Sequence, residues 1–424
     1  MKQAVLSIDG LRQAVQSLPD DALTAAREAA LASIGTQGLP TVRHEDWKYT
    51  DLSSAIDISN RWLADGANTE SAATPADTVK SIMASIDANW LVIANGIVDL
   101  THFVESSGIK IERFSDSAAP LVMERPLADL NVALLRDGLR IQIHAETEKP
   151  LGVLIVDETS AAATVSQANV EIEVAAGCNA EIVEYQSSSG CGDHYGNSVV
   201  VLKIGQAANA SYVRIQDRRI GHVHTGRISV TLGADSQLHM AGYDLGGGLV
   251  RNDVDIDLSE PGAAATVNGL YLAGDGQHID NHTRVDHRVG PASSSQEYRG
   301  ILNGRCRCVW NGKAIVHKGA DGTDARQTNH NLLLSDKAEI DTKPQLEIYA
   351  DDVKCSHGTT VGQLDEAALF YLRTRGLDRR QATQILTHAF AADLVSRTPV
   401  TATRDAITAL VESRLAELIT DNVS

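Results

Sequence analysis

The sequence predicts a mainly β chain, a right-handed parallel β-helix flanked by N-terminal and C-terminal α-helical regions. Three observations carry this. Strand-like alternation recurs through the middle of the chain, in VEIEVAAG, VVVLKIGQ, RISVTLGA and DVDIDLSEPG. Each run ends at a glycine among small residues. Gly177, Gly205, Gly233, Gly262, Gly290 and Gly319 follow one another at intervals of 28, 28, 29, 28 and 29 residues. No helix-length segment interrupts them. A fixed period of strands and small-residue turns is the signature of a solenoid, in which each repeat stacks on the last. A β-sandwich with evenly spaced turns is the alternative, but it has no reason to keep its turns in phase over five intervals.

The elements divide into three regions. Residues 1–90 read as a helical region with a linker. DDALTAAREAALASIG is rich in alanine and helix formers, with Asp20 or Asp21 to cap it and Gly35 to stop it. GLPTVRHEDWKYTDLSS follows as an irregular stretch, and residues 66–80, small and polar, read as a surface loop. Residues 91–361 read as the β-helix core, entered through WLVIANGIVDL, LRIQIHAE and LGVLIVDE. Residues 362–424 return to helix. LDEAALFYLRTRG ends at Gly376, and Asp378 and Gln381 stand at capping-box spacing. Ile407, Leu410, Val411, Leu415 and Leu418 then form one apolar stripe. Helices at the end of a solenoid can cap its exposed core or offer a docking face.

Composition narrows the function. With 424 residues and 43% hydrophobic content the chain can bury a large core, while aromatics at 4% and 33 glycines suit tight repeated turns. A net charge of −18 argues against non-specific nucleic-acid binding and against docking on anionic lipid. No apolar run approaches transmembrane length, and the N-terminus has no signal-peptide core, so a cytoplasmic protein is expected. The five cysteines, Cys178, Cys191, Cys306, Cys308 and Cys355, are too sparse for a disulfide framework. There is no P-loop, GxSxG, HExxH or strand-following GxGxxG.

Three groups of residues could carry chemistry. His278, His282 and His287 are dense, but on a strand the first two face one side and the third the other. Cys306 and Cys308 share a face and could hold a soft metal or simply fill the core. In DDVKCSHGTT, Cys355 and His357 project to one side of a strand, about 7 Å apart. Both could serve one metal, or the imidazole could activate the thiol. Two ligands are too few for a closed site, so the others must come from elsewhere or from a second chain.

QTNHNLLLSDKAEIDTKPQLEIYADDVKCSHGTTVGQLDE resembles the C-terminal signature of the SufB/SufD family of iron–sulfur cluster assembly proteins. DNHTRVDHR is similar to the family's β-helix core, and HEDWKYTDL to its N-terminal Trp-containing segment. The length, EDWKYT and KCSHGTTVG fall on the SufD side of the family. The resemblance implies a parallel β-helix between helical termini, agreeing with the periodicity. It implies a non-enzymatic scaffold subunit that pairs with SufB through the β-helices and binds the ATPase SufC through its C-terminal helices. It also implies that His357 belongs to a metal site shared at the SufB–SufD interface, where an iron–sulfur cluster or iron is held transiently, with Cys355 at the same interface. A reduced flavin is linked to the complex in the family, but no flavin motif is visible here. A homodimer in isolation is consistent with the exposed edge strands of a β-helix. Two other classes stay open at this point: a carbohydrate-active β-helix enzyme and a stand-alone homodimeric iron-binding protein.

Overall fold

The turns of the chain stack through their own backbone hydrogen bonds. Gly177 N–H donates to the Gln206 carbonyl, Ala207 to Ala234, Asp235 to Pro261 and Gly262 to Pro291, so each corner is tied to the corner one repeat ahead. The computed structural model describes residues 4–67, 76–117, 125–160 and 162–420. Within them the chain is a parallel β-helix with two strands per turn.

The strands in chain order are β1 (Asn89–Ala94), β2 (Ile97–Asp99), β3 (Ile109–Arg113), β4 (Leu139–Ile143), β5 (Leu151–Thr159), β6 (Thr164–Val174) and β7 (Asn179–Gly190). They continue as β8 (His194–Ile204), β9 (Asn209–Asp217), β10 (Val223–Leu232), β11 (Gln237–Asp244), β12 (Leu249–Leu258) and β13 (Ala264–Ala273). The last are β14 (His278–His287), β15 (Ser293–Leu302), β16 (Arg307–Val316), β17 (Asp324–Leu333), β18 (Glu339–Ile348) and β19 (Lys354–Gly362). The odd-numbered strands from β5 onward build one sheet with β1 and β2, in the order β19-β17-β15-β13-β11-β9-β7-β5-β1-β2. The even-numbered strands from β4 onward build the other, β18-β16-β14-β12-β10-β8-β6-β4-β3. Pairing is parallel everywhere except β1 with β2 and β3 with β4, where the helix begins.

The two sheets enclose one apolar core, made of Ile141, Val153, Ile172, Leu202, Val230, Ile256 and their stacked neighbours. The four alternating runs of the sequence are β6, β8, β10 and β12, all in the even-numbered sheet. The odd-numbered sheet carries no such alternation because both of its faces are covered. Its outer residues Val183, Ile215, Tyr243, Leu270, Leu272 and Ile301 are buried under helices. Strands buried on both faces lose the period-2 pattern.

Helices flank the solenoid. The N-terminal ones are α1 (Ile8–Gln16), α2 (Thr24–Gln37), α3 (Ser53–Ala64) and α4 (Ala76–Ser85). Two follow within the first turns, α5 (Phe114–Ser117) and α6 (Pro126–Leu134). The C-terminal ones are α7 (Glu366–Thr374), α8 (Arg379–Ser396) and α9 (Arg404–Thr420). Three expectations need correction. α2 runs through Gly35 and stops at Gly38, whose φ of 68° is the left-handed stop that Gly35 does not adopt. Residues 76–80 of the expected loop are the start of α4; residues 68–75 lie outside the described residues. The left-handed corner position falls at Gly177, Ala207 and Asp235, so Gly205 and Gly233 keep the period but sit two residues upstream of it.

Candidate functional site

Among the described residues the last turn of the β-helix has no turn above it. β18 pairs only with β16, and β19 only with β17, so both strands present an unpaired edge. Register decides which way their side chains point. Cys355, His357 and Thr359 stand beside Ala325, Gln327 and Asn329, all of which are buried. They therefore occupy the inner face of β19, over the end of the core. His357 tops a column that runs Met240, Val267, Gln296, Gln327. The column turns from apolar to amide as it nears the open end.

That end is short of hydrogen-bond partners. Gln327 is 1% exposed, yet neither atom of its carboxamide has a partner. Gln296 Nε2, Trp310 Nε1 and Thr342 Oγ1 are also unpaired. Buried polar groups are nearly always paired, so five unpaired atoms on four side chains beneath an open face suit a surface that is completed by another molecule. His357 itself is exposed and Cys355 half-buried. Burial pushes the Cys355 thiol above its ordinary range, so the imidazole two residues on does not make it a thiolate. Among the described residues no three His, Cys, Asp or Glu side chains are grouped to hold a metal ion.

The family model for the SUF-system FeS cluster assembly SufBD core domain matches residues 156–390, including all of β19. The chain belongs to the SufBD family. The iron–sulfur cluster assembly protein SufD of Escherichia coli is 30% identical over 366 residues, which cover 84% of this chain and 85% of that one. A SufBD family protein of Synechocystis is 27% identical over 412 residues, 91% of this chain and 90% of its own length. SufD of Bacillus subtilis is 25% identical over 315 residues, 72% and 70% of the two chains. The protein is thus a SufD-like member of the SUF iron–sulfur cluster assembly family. No helix among the described residues is long and apolar enough to cross a membrane.

The other groups in this SufBD chain fall as packing would place them. His278 and His282 lie on the outer face of β14, and His287 is fully buried inside. Cys306 and Cys308 both fill the core. The HEDWKYTDL segment lies across the outer face of the even-numbered sheet. Trp47 stacks on Arg251, 4.3 Å from ring centroid to guanidinium carbon. The Thr50 hydroxyl donates to Asp280, which makes His278 Nε2 its donor at 2.8 Å.

The C-terminal helices do not cap the end of the core. α8 and α9 lie along the outer face of the odd-numbered sheet, where Leu394, Val395, Ile407, Val411, Leu415 and Leu418 pack on Leu270, Leu272 and Ile301. The stripe read from the sequence is this contact. α7 projects further, with Phe370 68% and Tyr371 56% exposed and Ile385 of α8 46% exposed. A groove of about 920 Å³ between the β17–β18 turn and α7 is lined by Leu334, Leu364, Leu369 and Arg379.

One constellation escaped the sequence. Inside the β-helix Arg218 pairs with Asp157 at 2.6 Å, beside His194 at 3.6 Å from the same carboxylate. Further along, Arg214 pairs with Asp244 at 2.8 Å, and Asn281 donates to the same carboxylate at 3.0 Å. Tyr212 donates to Glu184. Of these, only His194 recurs at the corner period, with His222 28 residues on, so the period could have marked that position but not the ion pairs.

Proposed function

We propose that this chain is a non-catalytic scaffold subunit of the SUF machinery that completes a cluster-assembly site together with a SufB-type chain. The observation that carries the reading is His357 on the inner face of the open last turn, above the unpaired carboxamide of Gln327. Neutral imidazole binds Fe(II), and a thiolate from the partner would supply the soft donor. A site divided between two chains accounts for the two candidate ligands on this one. Cys355 borders the site as a half-buried, protonated thiol rather than a ligand of equal rank. The exposed aromatics of α7 support residues 362–424 as the docking region for a SufC-type ATPase, which would bring the hydrolytic activity. A reduced flavin has no assigned residues here, and a cytoplasmic location accords with the reading.

The open edges also favour a second reading, that the isolated chain pairs with a copy of itself through β18 and β19. The test is anaerobic co-expression with the cognate SufB- and SufC-type chains. His357→Ala should leave the complex assembled and lower cluster yield at least tenfold, about 1.4 kcal/mol or more of lost site affinity. Normal yield in an assembled complex would sink the site. Removing residues after Gly362 is a poor test of docking, because it strips α8 and α9 from the apolar sheet face. Phe370→Asp with Tyr371→Asp leaves that face covered and should release the SufC-type chain alone; its retention would count against α7.

A further inference from the structure

A neutral imidazole that binds metal through one ring nitrogen carries its proton on the other, and that N–H needs an acceptor. His357 has to find one on this chain or on its partner. The side chain beside it in register is Gln327, on the same inner face and one strand away, about 4.8 Å. A glutamine carboxamide spans that distance.

Gln327 is itself unsatisfied. It is 1% exposed and neither carboxamide atom has a partner, so exchanging Oε1 and Nε2 would still leave a carbonyl unpaired. Its neighbours on the inner face are engaged elsewhere. Gln296 Oε1, one strand below, takes the Thr283 hydroxyl at 2.5 Å. Asn329, two residues along β17, donates to the Tyr271 hydroxyl at 3.1 Å and to the Tyr298 carbonyl at 3.2 Å. A leucine would fill the position without leaving two polar atoms unpaired. On the other side, one strand spacing away, stands the exposed His357.

We propose that Gln327 is a positioning residue for His357, an inference that rests on the shared-site reading above. When the partner chain covers the open turn, Gln327 Oε1 accepts the His357 Nδ1–H. That bond fixes the tautomer whose lone pair is on Nε2 and directs Nε2 out of the β-helix, toward the partner. In the uncovered chain the bond is not made, and the carboxamide is left unpaired.

The test uses the full chain in its anaerobically assembled complex with the cognate SufB- and SufC-type chains, and Fe(II) alone as probe in equilibrium dialysis. The relevant affinity is the part that His357→Ala removes. Gln327→Leu should lower it about tenfold or more, the scale of losing a residue that orients a metal ligand. In the His357→Ala complex the same substitution should leave the residual binding untouched, whereas a packing role would weaken both backgrounds alike. Gln327→Glu keeps the acceptor and should bind Fe(II) at least as tightly as the wild type. The isolated Gln327→Leu chain should melt at the same or a higher temperature, since it buries no unpaired amide. Unchanged Fe(II) affinity in Gln327→Leu, an equal loss with and without His357, or a loss in Gln327→Glu as large as in Gln327→Leu would overturn the role of Gln327 alone. Fe(II) binding unaffected by His357→Ala would bring down the shared-site reading, and the role of Gln327 with it.

Discussion

His194 is enclosed within the β-helix, and burial pushes its pKa down to about 3 against the pull of Asp157. Burial likewise holds His287 down at about 4, and His222 and His224 below their usual value. A histidine kept neutral in the folded state takes up its proton only on unfolding as the pH falls below about 6.5. The unfolded chain then binds more protons, so stability is complete above that pH and is lost as the pH drops toward the folded pKa. Asp280 and Asp253 act lower on the scale. Burial raises them, but Arg251 and His282 outweigh it and hold both below the usual carboxylate range, so their contribution is lost only below about pH 4. We therefore expect urea midpoints to fall between pH 6.5 and 4, before the carboxylates titrate. His287→Asn should remove up to about 1.4 kcal/mol per pH unit from that slope. An unchanged slope in that variant would show that His287 does not carry it.

The segment around Trp47 behaves as a strap rather than a loop. It has almost no regular structure beyond a short turn at Glu45–Trp47, yet it is held at four points on the sheet. Arg251 stacks on Trp47 and donates to the Asp46 carbonyl at 2.9 Å. Lys343 pairs with Glu45 at 2.7 Å, and Thr50 closes onto the buried Asp280. Thr50→Val keeps the shape and removes one hydrogen bond to a buried carboxylate. The expected loss is about 1–3 kcal/mol in denaturant unfolding, with earlier proteolytic cleavage near residue 50. Wild-type stability and cleavage would mean that the contacts at Glu45, Asp46 and Trp47 hold the strap without Thr50. The sequence marked this stretch by its aromatics but could not show its partners, because Arg251, Asp280 and Lys343 lie some 200 to 300 positions away.

The whole molecule has one finished end and one unfinished end. At the start, β2 and β3 run antiparallel to their neighbours and end the two sheets. At the finish, Ile348 of β18, Tyr349 just after it and Val361 of β19 are exposed at 43%, 57% and 50%. Such an edge invites a further strand. Val361→Asp should therefore shift the isolated chain toward monomer by light scattering and weaken SufB-type pairing, with little change in melting temperature. A monomeric wild type would remove the self-pairing reading, and intact partner binding by the variant would move the interface elsewhere. The C-terminal helices belong to the same picture. They cover a sheet face from the side, so the open end stays free and α7 stays free with it.

The sequence by itself determined the solenoid, its period, the helical flanks and the capping box at Asp378 and Gln381, because each is written in local spacing. It also determined that Cys355 and His357 share one side of a strand, since side chains alternate along any strand. What that side faces was decided only by register. Pairing His357 with Gln327 sets it over the end of the core, and pairing nothing beyond β19 leaves it open. The odd-numbered sheet stayed hidden for a related reason: helices from both ends of the chain cover its outer face, and coverage erases the alternation by which a strand is recognised. The buried Asp157, His194 and Arg218 look like ordinary surface residues in the sequence, because only the closing of two sheets around them makes them interior.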